Sequence, residues 1–135
     1  ACAQIERLEE LVNKKNQIFY WYKNLLQDIN FIDMNHQQEY VKNSYWMPTI
    51  VFDKSVNINR DDLMKYLDKK GIDSRPFFYP LSSLPMFKKV KKNNISYSLS
   101  NRGIYLPSAF YLSKEDINYI VEAIKEYLFD KPLRV

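Results

Sequence analysis

The chain opens on a long amphipathic pattern. Its apolar residues recur at spacings of three and four, which predicts a helix over residues 3–27. These positions are Ile5, Leu8, Leu11, Val12, Ile18, Phe19, Tyr22, Leu25 and Leu26. Glu10 and Lys14 stand on the polar face at the offset that favours an ion pair. No capping residue precedes the pattern, so we expect the chain to begin within or beside a helix.

Three further helices are predicted, two of them by clear end signals. Asn59 is a typical helix cap, and Gly71 ends the helix it starts because glycine readily takes a positive φ. Residues 113–116 have the form of a capping box and predict a final helix. Residues 95–101 predict a short helix that ends near Gly103. The final helix has an apolar stripe of Ile117, Ile120, Val121, Ile124 and Leu128.

Extended segments lie between the helices. Residues 45–52 are aromatic and β-branched, which predicts a strand, and Pro48 should lie at an edge or a bulge because it has no amide to donate. Residues 72–79 and 104–106 predict shorter strands, whereas residues 28–42 are polar and irregular. A few strands alternating with helices predict a small α+β or α/β layer packed against helices. We therefore expect one domain, with the α/β layer over residues 44–130.

Composition narrows the function classes. A chain of 135 residues with 46% hydrophobic content has the size and apolar fraction of one globular domain. Twenty basic residues are mixed with 16 acidic ones, so the net charge of +4 favours no strongly anionic partner. The basic run at residues 88–92 lacks interleaved aromatic residues, and we interpret it as a solvated loop. We expect no nucleic-acid binding.

Several kinds of site have no support in the sequence. Cys2 is the single cysteine and His36 the single histidine, which predicts neither a disulfide nor a metal site. Two glycines are too few for a glycine-rich phosphate loop. No window approaches the roughly 18 apolar residues of a membrane span. We expect a cytoplasmic protein without a membrane partner.

Residues 74–83 concentrate one guanidinium, three aromatic rings and two prolines after a predicted strand. Two interpretations stay open on composition. In the first, the segment is a rigid corner in which Phe77 and Phe78 belong to the core and Arg75 forms a salt bridge. In the second, Arg75 meets a carboxylate or phosphate as a planar fork, and the rings flank a planar or sugar-like ligand.

Four strings, at residues 3–8, 71–81, 100–108 and 113–124, carry a family resemblance. In order and spacing they resemble the carboxy-terminal third of the pyridoxal-phosphate-dependent sugar aminotransferases, the DegT/DnrJ/EryC1/StrS family. The sequence Arg-Pro-Phe-Phe-Tyr-Pro-Leu-Ser-Ser-Leu-Pro is similar to that of a subgroup of enzymes that aminate a 4-keto-6-deoxy sugar carried on GDP, such as the perosamine synthases.

The resemblance implies the small carboxy-terminal domain of a fold-type I aminotransferase, with a small, mostly antiparallel sheet packed against long helices. A large amino-terminal domain would bind pyridoxal phosphate and carry the lysine that holds it, so no residue of this chain is expected to be catalytic. It also implies a nucleotide sugar and an amino donor, glutamate, as substrates. The intact protein would be a homodimer that serves polysaccharide or O-antigen biosynthesis.

Site residues follow from position in the family's motif. Arg75 would lie nearest the anionic part of the substrate or cofactor, while Phe77, Phe78 and Tyr79 would shape the sugar pocket. Many relatives carry a histidine where this sequence has Ser82, which we include as a substrate-binding candidate. Three alternatives stay open: a same-fold sugar dehydratase that uses the same cofactor, a non-enzymatic basic binding module, and an inert packing domain.

Overall fold

Helices and strands alternate along the chain in nearly the predicted order. The computed structural model describes residues 2–90 and 92–130, so predictions that involve Ala1 or Lys91 fall outside the described residues. The helices are α1 (Cys2–Glu6), α2 (Leu8–Leu26), α3 (Arg60–Lys69), α4 (Asn94–Arg102) and α5 (Lys114–Asp130). The strands are β1 (Ile32–Met34), β2 (Thr49–Phe52), β3 (Arg75–Pro76) and β4 (Gly103–Tyr105).

The four strands form one antiparallel sheet in the order β1, β2, β4, β3. Ile50 of β2 lies opposite Ile104 of β4, and both side chains are fully buried. Successive side chains of a strand point to opposite faces, so Thr49, Tyr105 and Arg75, which also lie opposite one another, share the other face. The predicted α+β fold with a small, mostly antiparallel sheet is confirmed.

The core lies between one face of the sheet and helices α2, α3 and α5. Each helix contributes the apolar stripe that its sequence predicts. The buried members include Ile18, Tyr22 and Leu26 of α2, Leu63 and Leu67 of α3, and Ile117, Val121 and Ile124 of α5. No helix in the described part of the chain is long and apolar enough to cross a membrane.

The predicted opening helix is interrupted at Arg7, between α1 and α2. The Arg7 guanidinium binds both carboxylate oxygens of Glu10, at 2.9 and 2.8 Å. The sequence predicted a pair between Glu10 and Lys14, but Glu10 pairs with Arg7. The planar guanidinium of Arg7 fits a carboxylate because it forms two parallel hydrogen bonds with it. Ile5 and Leu8, two members of the apolar stripe, are exposed.

Two strand predictions need correction. β1 lies within residues 28–42, which were predicted to be irregular. The strand was missed because three residues, one of them an outward-facing aspartate, are too few to show the alternation typical of a strand. β2 is an inner strand, so Pro48 stands not at a sheet edge but directly before Thr49, where its carbonyl accepts the Leu106 amide at 2.9 Å. The strand predicted over residues 72–79 is paired only at Arg75 and Pro76.

The predicted helix ends are confirmed. The Asn59 side chain accepts the amides of Asp61 and Asp62, and Gly71 has a φ of 74°. At the start of α5, the Asp116 amide donates to the Ser113 hydroxyl at 3.1 Å, and the Ser113 amide donates to the Asp116 carboxylate at 2.9 Å. These two bonds form the reciprocal capping box that the sequence predicted.

Replacing Ser113 by alanine should lower the free energy of unfolding by about 1 kcal/mol, the typical cost of a lost cap. The backbone and side-chain hydrogen bonds of Ser113 also lower the pKa of Asp116. The stabilisation from the ionised Asp116 is therefore fully present at pH values above the ordinary pKa of an aspartate. It is lost as the pH falls through the lowered pKa of Asp116. The alanine variant keeps the backbone amide, the larger of the two causes, so its loss of stability on acidification should be only slightly weaker than that of the wild type. Urea unfolding at neutral pH measures the lost cap, and an unchanged free energy of unfolding would contradict the capping box.

Candidate functional site

The segment predicted to be functional runs along the edge strand β3 and then turns through a short 3-10 helix at Leu81–Ser83. Arg75 on this strand is 72% exposed and its guanidinium lies 3.2 Å from the carboxylate of Asp73. Such exposed ion pairs add little to stability. The Arg75 guanidinium is therefore accessible to a ligand at the cost of one weak contact.

The two phenylalanines of the segment pack on Tyr105. The ring of Phe77 stacks on it at 5.3 Å between centroids, and the ring of Phe78 meets it edge-on at 5.0 Å. Phe77 approaches the sheet closely because Gly103 has no side chain: a Cβ there would lie 3.0 Å from the Phe77 Cβ. Phe78 remains exposed. Burial raises the pKa of Tyr105, and a backbone hydrogen bond with Phe78 lowers it by less. The phenol therefore stays protonated at neutral pH.

Tyr79 is held by a buried arginine. Arg60 is only 5% exposed, and its guanidinium lies 5.5 Å from the centre of the Tyr79 ring and donates to the Tyr79 hydroxyl at 3.3 Å. The same guanidinium donates to the carbonyl of Ser100 and, at 3.4 Å, to that of Gly103. Arg60 therefore ties the predicted site segment to the end of α4.

Ser82 belongs to a second polar cluster. Its hydroxyl lies 2.7 Å from the Tyr97 hydroxyl and accepts a bond of 3.4 Å from the Asn93 amide group. The Tyr97 hydroxyl accepts the backbone amide of Val90 at 3.0 Å, which leaves its proton for Ser82. The ammonium of Lys89 lies 5.3 Å from the centre of the Tyr97 ring, a cation–π contact.

Tyr79 and Ser82 line a common cavity of about 520 Å³, which we call the α4 cavity. Its wall also includes Phe87, Lys89, Tyr97 and Ser100. Arg75, Phe77 and Phe78 are not among the residues that line it. The described wall contains one ammonium, several hydroxyl groups and aromatic rings, and no carboxylate. Such a surface suits a hydroxylated ligand or an anion.

A second cavity, of about 580 Å³, lies beside the start of α5. Asp73 and Asp116 are both in its wall, so it is less suited to an anion than the α4 cavity. Within residues 2–90 and 92–130, no group of three or more His, Cys, Asp or Glu side chains is placed to hold a metal ion. His36 lies exposed, as predicted for a solvated histidine.

Three site residues were missed in the sequence. Arg60 follows a helix cap, where a charged side chain is usually solvated, and Tyr97 and Tyr105 are two of 11 tyrosines with no distinguishing neighbours. Lys89 is exposed, as expected for a solvated basic run, and its ammonium also lies over the Tyr97 ring at the α4 cavity. Only the tertiary contacts distinguish these residues from their neighbours in the chain.

The chain is similar to known enzymes. It is 34% identical over 128 residues to the GDP-perosamine synthase of Vibrio cholerae, a match that covers 93% of this chain and 35% of that protein. The chain thus spans about a third of the length of the curated relatives it matches.

Solved structures share the fold. The aminotransferase PseC of Helicobacter pylori, which is involved in the biosynthesis of pseudoaminic acid, superposes with a TM-score of 0.83 at 15% identity, over 96% of this chain and 36% of that one. The GDP-4-keto-6-deoxy-D-mannose-3-dehydratase of E. coli, solved with bound hydrated PLP, has a TM-score of 0.73 at 19% identity, over 90% of this chain and 33% of that one.

A family model also matches most of the chain. It covers residues 1–125, which include both β3 with the segment that follows it and the wall of the α4 cavity. The chain belongs to the DegT/DnrJ/EryC1/StrS aminotransferase family.

Proposed function

We propose that this chain is the carboxy-terminal small domain of a pyridoxal-phosphate-dependent aminotransferase, and that it forms one wall of a nucleotide-sugar pocket. The reaction would move an amino group, from glutamate, to a 4-keto-6-deoxy sugar carried on GDP for polysaccharide or O-antigen biosynthesis. Membership of the family and the 34% identity to a GDP-perosamine synthase support this assignment. The observation that carries it is the α4 cavity, whose described wall beside residues 75–82 holds hydroxyl groups and aromatic rings and no carboxylate.

The chemistry of pyridoxal phosphate is that of an electron sink for moving the amino group. The starts of α3 and α5 are poorly suited to its phosphate, because amides there are already bonded to the side chains of Asn59 and Ser113. Lys15 and Lys70 are likewise engaged, by Ser108 and Glu126. We therefore propose that the cofactor and its lysine are held mainly by parts of the intact protein outside this chain, which alone would be inactive.

The chain's own residues would bind and orient the substrate. The hydroxyl groups of Tyr79, Ser82 and Tyr97 are placed around one cavity, where they suit the polar groups of a nucleotide sugar. Phe77 and Phe78, packed on Tyr105, would exclude water from the neighbouring surface. Arg75 would exchange Asp73 for an anionic group of the substrate or cofactor.

The assignment is tested with the intact protein, loaded with cofactor and given glutamate and a GDP-4-keto-6-deoxy sugar. We expect an amino sugar in the product, identified by mass spectrometry. A product that has lost its 3-hydroxyl instead of gaining nitrogen would support the second candidate, a same-fold dehydratase, for which the match to the E. coli dehydratase is the supporting observation. No reaction with any nucleotide keto sugar would contradict both. We also propose that the intact protein is a cytoplasmic homodimer, as the family resemblance implies.

Replacing Arg75 by alanine in the intact protein should lower kcat/KM for the nucleotide sugar by about 10- to 100-fold, the range expected for a lost charge-assisted hydrogen bond. The melting temperature should not change, because the side chain is exposed and its ion pair is weak. Lysine at this position should restore only part of the activity, since it lacks the planar fork. If the alanine variant kept full activity, Arg75 would not take part in binding the substrate or the cofactor.

A further inference from the structure

The α4 cavity carries a positive charge that no carboxylate balances. Lys89 is the only ammonium in the described wall, and among the described residues no carboxylate lies within ion-pair distance of it. Lys89 is an exposed residue of this wall, and its ammonium lies 5.3 Å from the centre of the Tyr97 ring. An ammonium in this position is a suitable point charge for a phosphate.

Ser100 supplies an independent indication of a ligand. It is 1% exposed and belongs to the wall of the α4 cavity, and its hydroxyl oxygen has no hydrogen-bond partner among the described residues. Buried polar atoms are rarely left without a partner in a native protein. An oxygen atom of a ligand in the cavity would accept the hydroxyl proton.

A second cation lies behind the same wall. The buried guanidinium of Arg60 donates to the carbonyl of Ser100 and to the hydroxyl of Tyr79, both wall residues. Its exposed partner Asp61, 3.1 Å away, is not in the wall. The cavity is therefore bounded by one ammonium directly and by one guanidinium through its hydrogen bonds. Its volume of about 520 Å³ lies within the roughly 300–1,000 Å³ of typical ligand pockets.

We infer that the α4 cavity binds the diphosphate of the nucleotide sugar, with Lys89 as its counter-charge and Ser100 and Ser82 as hydroxyl donors. This inference rests on the proposed function, since it names the part of that substrate which the cavity takes. Ser82 is able to donate when its oxygen accepts from Asn93 and from Tyr97, the direction favoured by the Val90 amide that donates to the Tyr97 oxygen. The cavity beside α5, with Asp73 and Asp116 in its wall, does not offer this charge pattern.

The test compares Lys89→Met with Lys92→Met in the intact, cofactor-loaded protein. Lys92 belongs to the same basic run but not to the cavity wall, so it is the matched control. Calorimetric titration with GDP should give a dissociation constant raised about tenfold or more by Lys89→Met and changed less than about twofold by Lys92→Met. A Ser100→Ala variant should raise the constant about threefold or more, the loss of one ordinary hydrogen bond.

Further titrations distinguish the source of the phosphate. Pyrophosphate should lose affinity with Lys89→Met as GDP does, whereas the affinity for guanosine and for pyridoxal phosphate should not change. Unchanged GDP binding in Lys89→Met, or equal losses in the two lysine variants, would overturn the inference. A loss confined to pyridoxal phosphate would also overturn it, because the charge would then serve the cofactor.

The inference and the proposed function fail separately. If the wild-type protein aminates no nucleotide sugar but Lys89→Met still weakens GDP binding selectively, the proposed reaction fails and the diphosphate site stands. If amination proceeds and Lys89→Met changes neither the KM for the nucleotide sugar nor GDP binding, the diphosphate site fails and the reaction stands.

Discussion

Replacing Arg60 by alanine is expected to lower the free energy of unfolding of this chain by about 3 kcal/mol, the range found when one partner of a buried charged network is removed. The side chain is 5% exposed and donates to the carbonyls of Ser100 and Gly103 and to the hydroxyl of Tyr79. The Ser100 carbonyl belongs to the last turn of α4, where no helical amide is available to it. The variant would leave that carbonyl buried without a donor.

Urea unfolding measures this loss, and Arg75→Ala is the matched control. Both variants remove a guanidinium, but Arg75 is exposed and should change the free energy of unfolding by less than about 0.5 kcal/mol. The two variants should also differ in the spectrum of Tyr79, because only Arg60 contacts its ring. If both variants lost the same small amount of unfolding free energy, Arg60 would not connect α3 and α4 to residues 75–82 as the structure indicates.

Replacing Ile104 by alanine should lower the free energy of unfolding by about 4 kcal/mol, near the upper part of the range for a buried isoleucine. Ile104 is fully buried in the inner strand β4, opposite Ile50 on one side and Pro76 on the other. Its side chain lies on the sheet face that meets the helices, so the lost methyl groups would leave a cavity in the centre of the core.

Ile95→Ala provides the comparison within the same residue type. Ile95 is 76% exposed in the first turn of α4, and its replacement should cost less than about 0.5 kcal/mol because alanine also favours the helix. If the two variants lost similar stability, the register that places Ile104 in the core would be wrong.

Most of the fold could be predicted because its signals are local. Asn59, Gly71 and Ser113 act through backbone groups within a few residues of themselves, so their helix ends are readable from the sequence. β1 was missed because its stability comes from pairing with β2, some 18 residues later, and not from its own three residues. The break at Arg7 was missed because two donors, Arg7 and Lys14, lie at different offsets from the Glu10 carboxylate, and the sequence alone does not show which of them binds it.

The site was less predictable than the fold. The resemblance identified five candidate residues between 75 and 82, yet the structure separates them into two groups, with only Tyr79 and Ser82 of the five at the α4 cavity. What joins the cavity to the segment is Arg60, whose partners lie 19, 40 and 43 residues away along the chain. Contacts at such distances follow from the packing of α3 against the sheet and leave no pattern in the sequence.

The central claim is that this chain forms one wall of a nucleotide-sugar pocket, and a crystal structure of the intact protein with a bound GDP-sugar tests it most directly. We expect the sugar nucleotide to lie against Tyr79 and Ser82, with a phosphate oxygen within hydrogen-bonding distance of the Lys89 ammonium. A nucleotide sugar bound with no contact to residues 75–101 would contradict it.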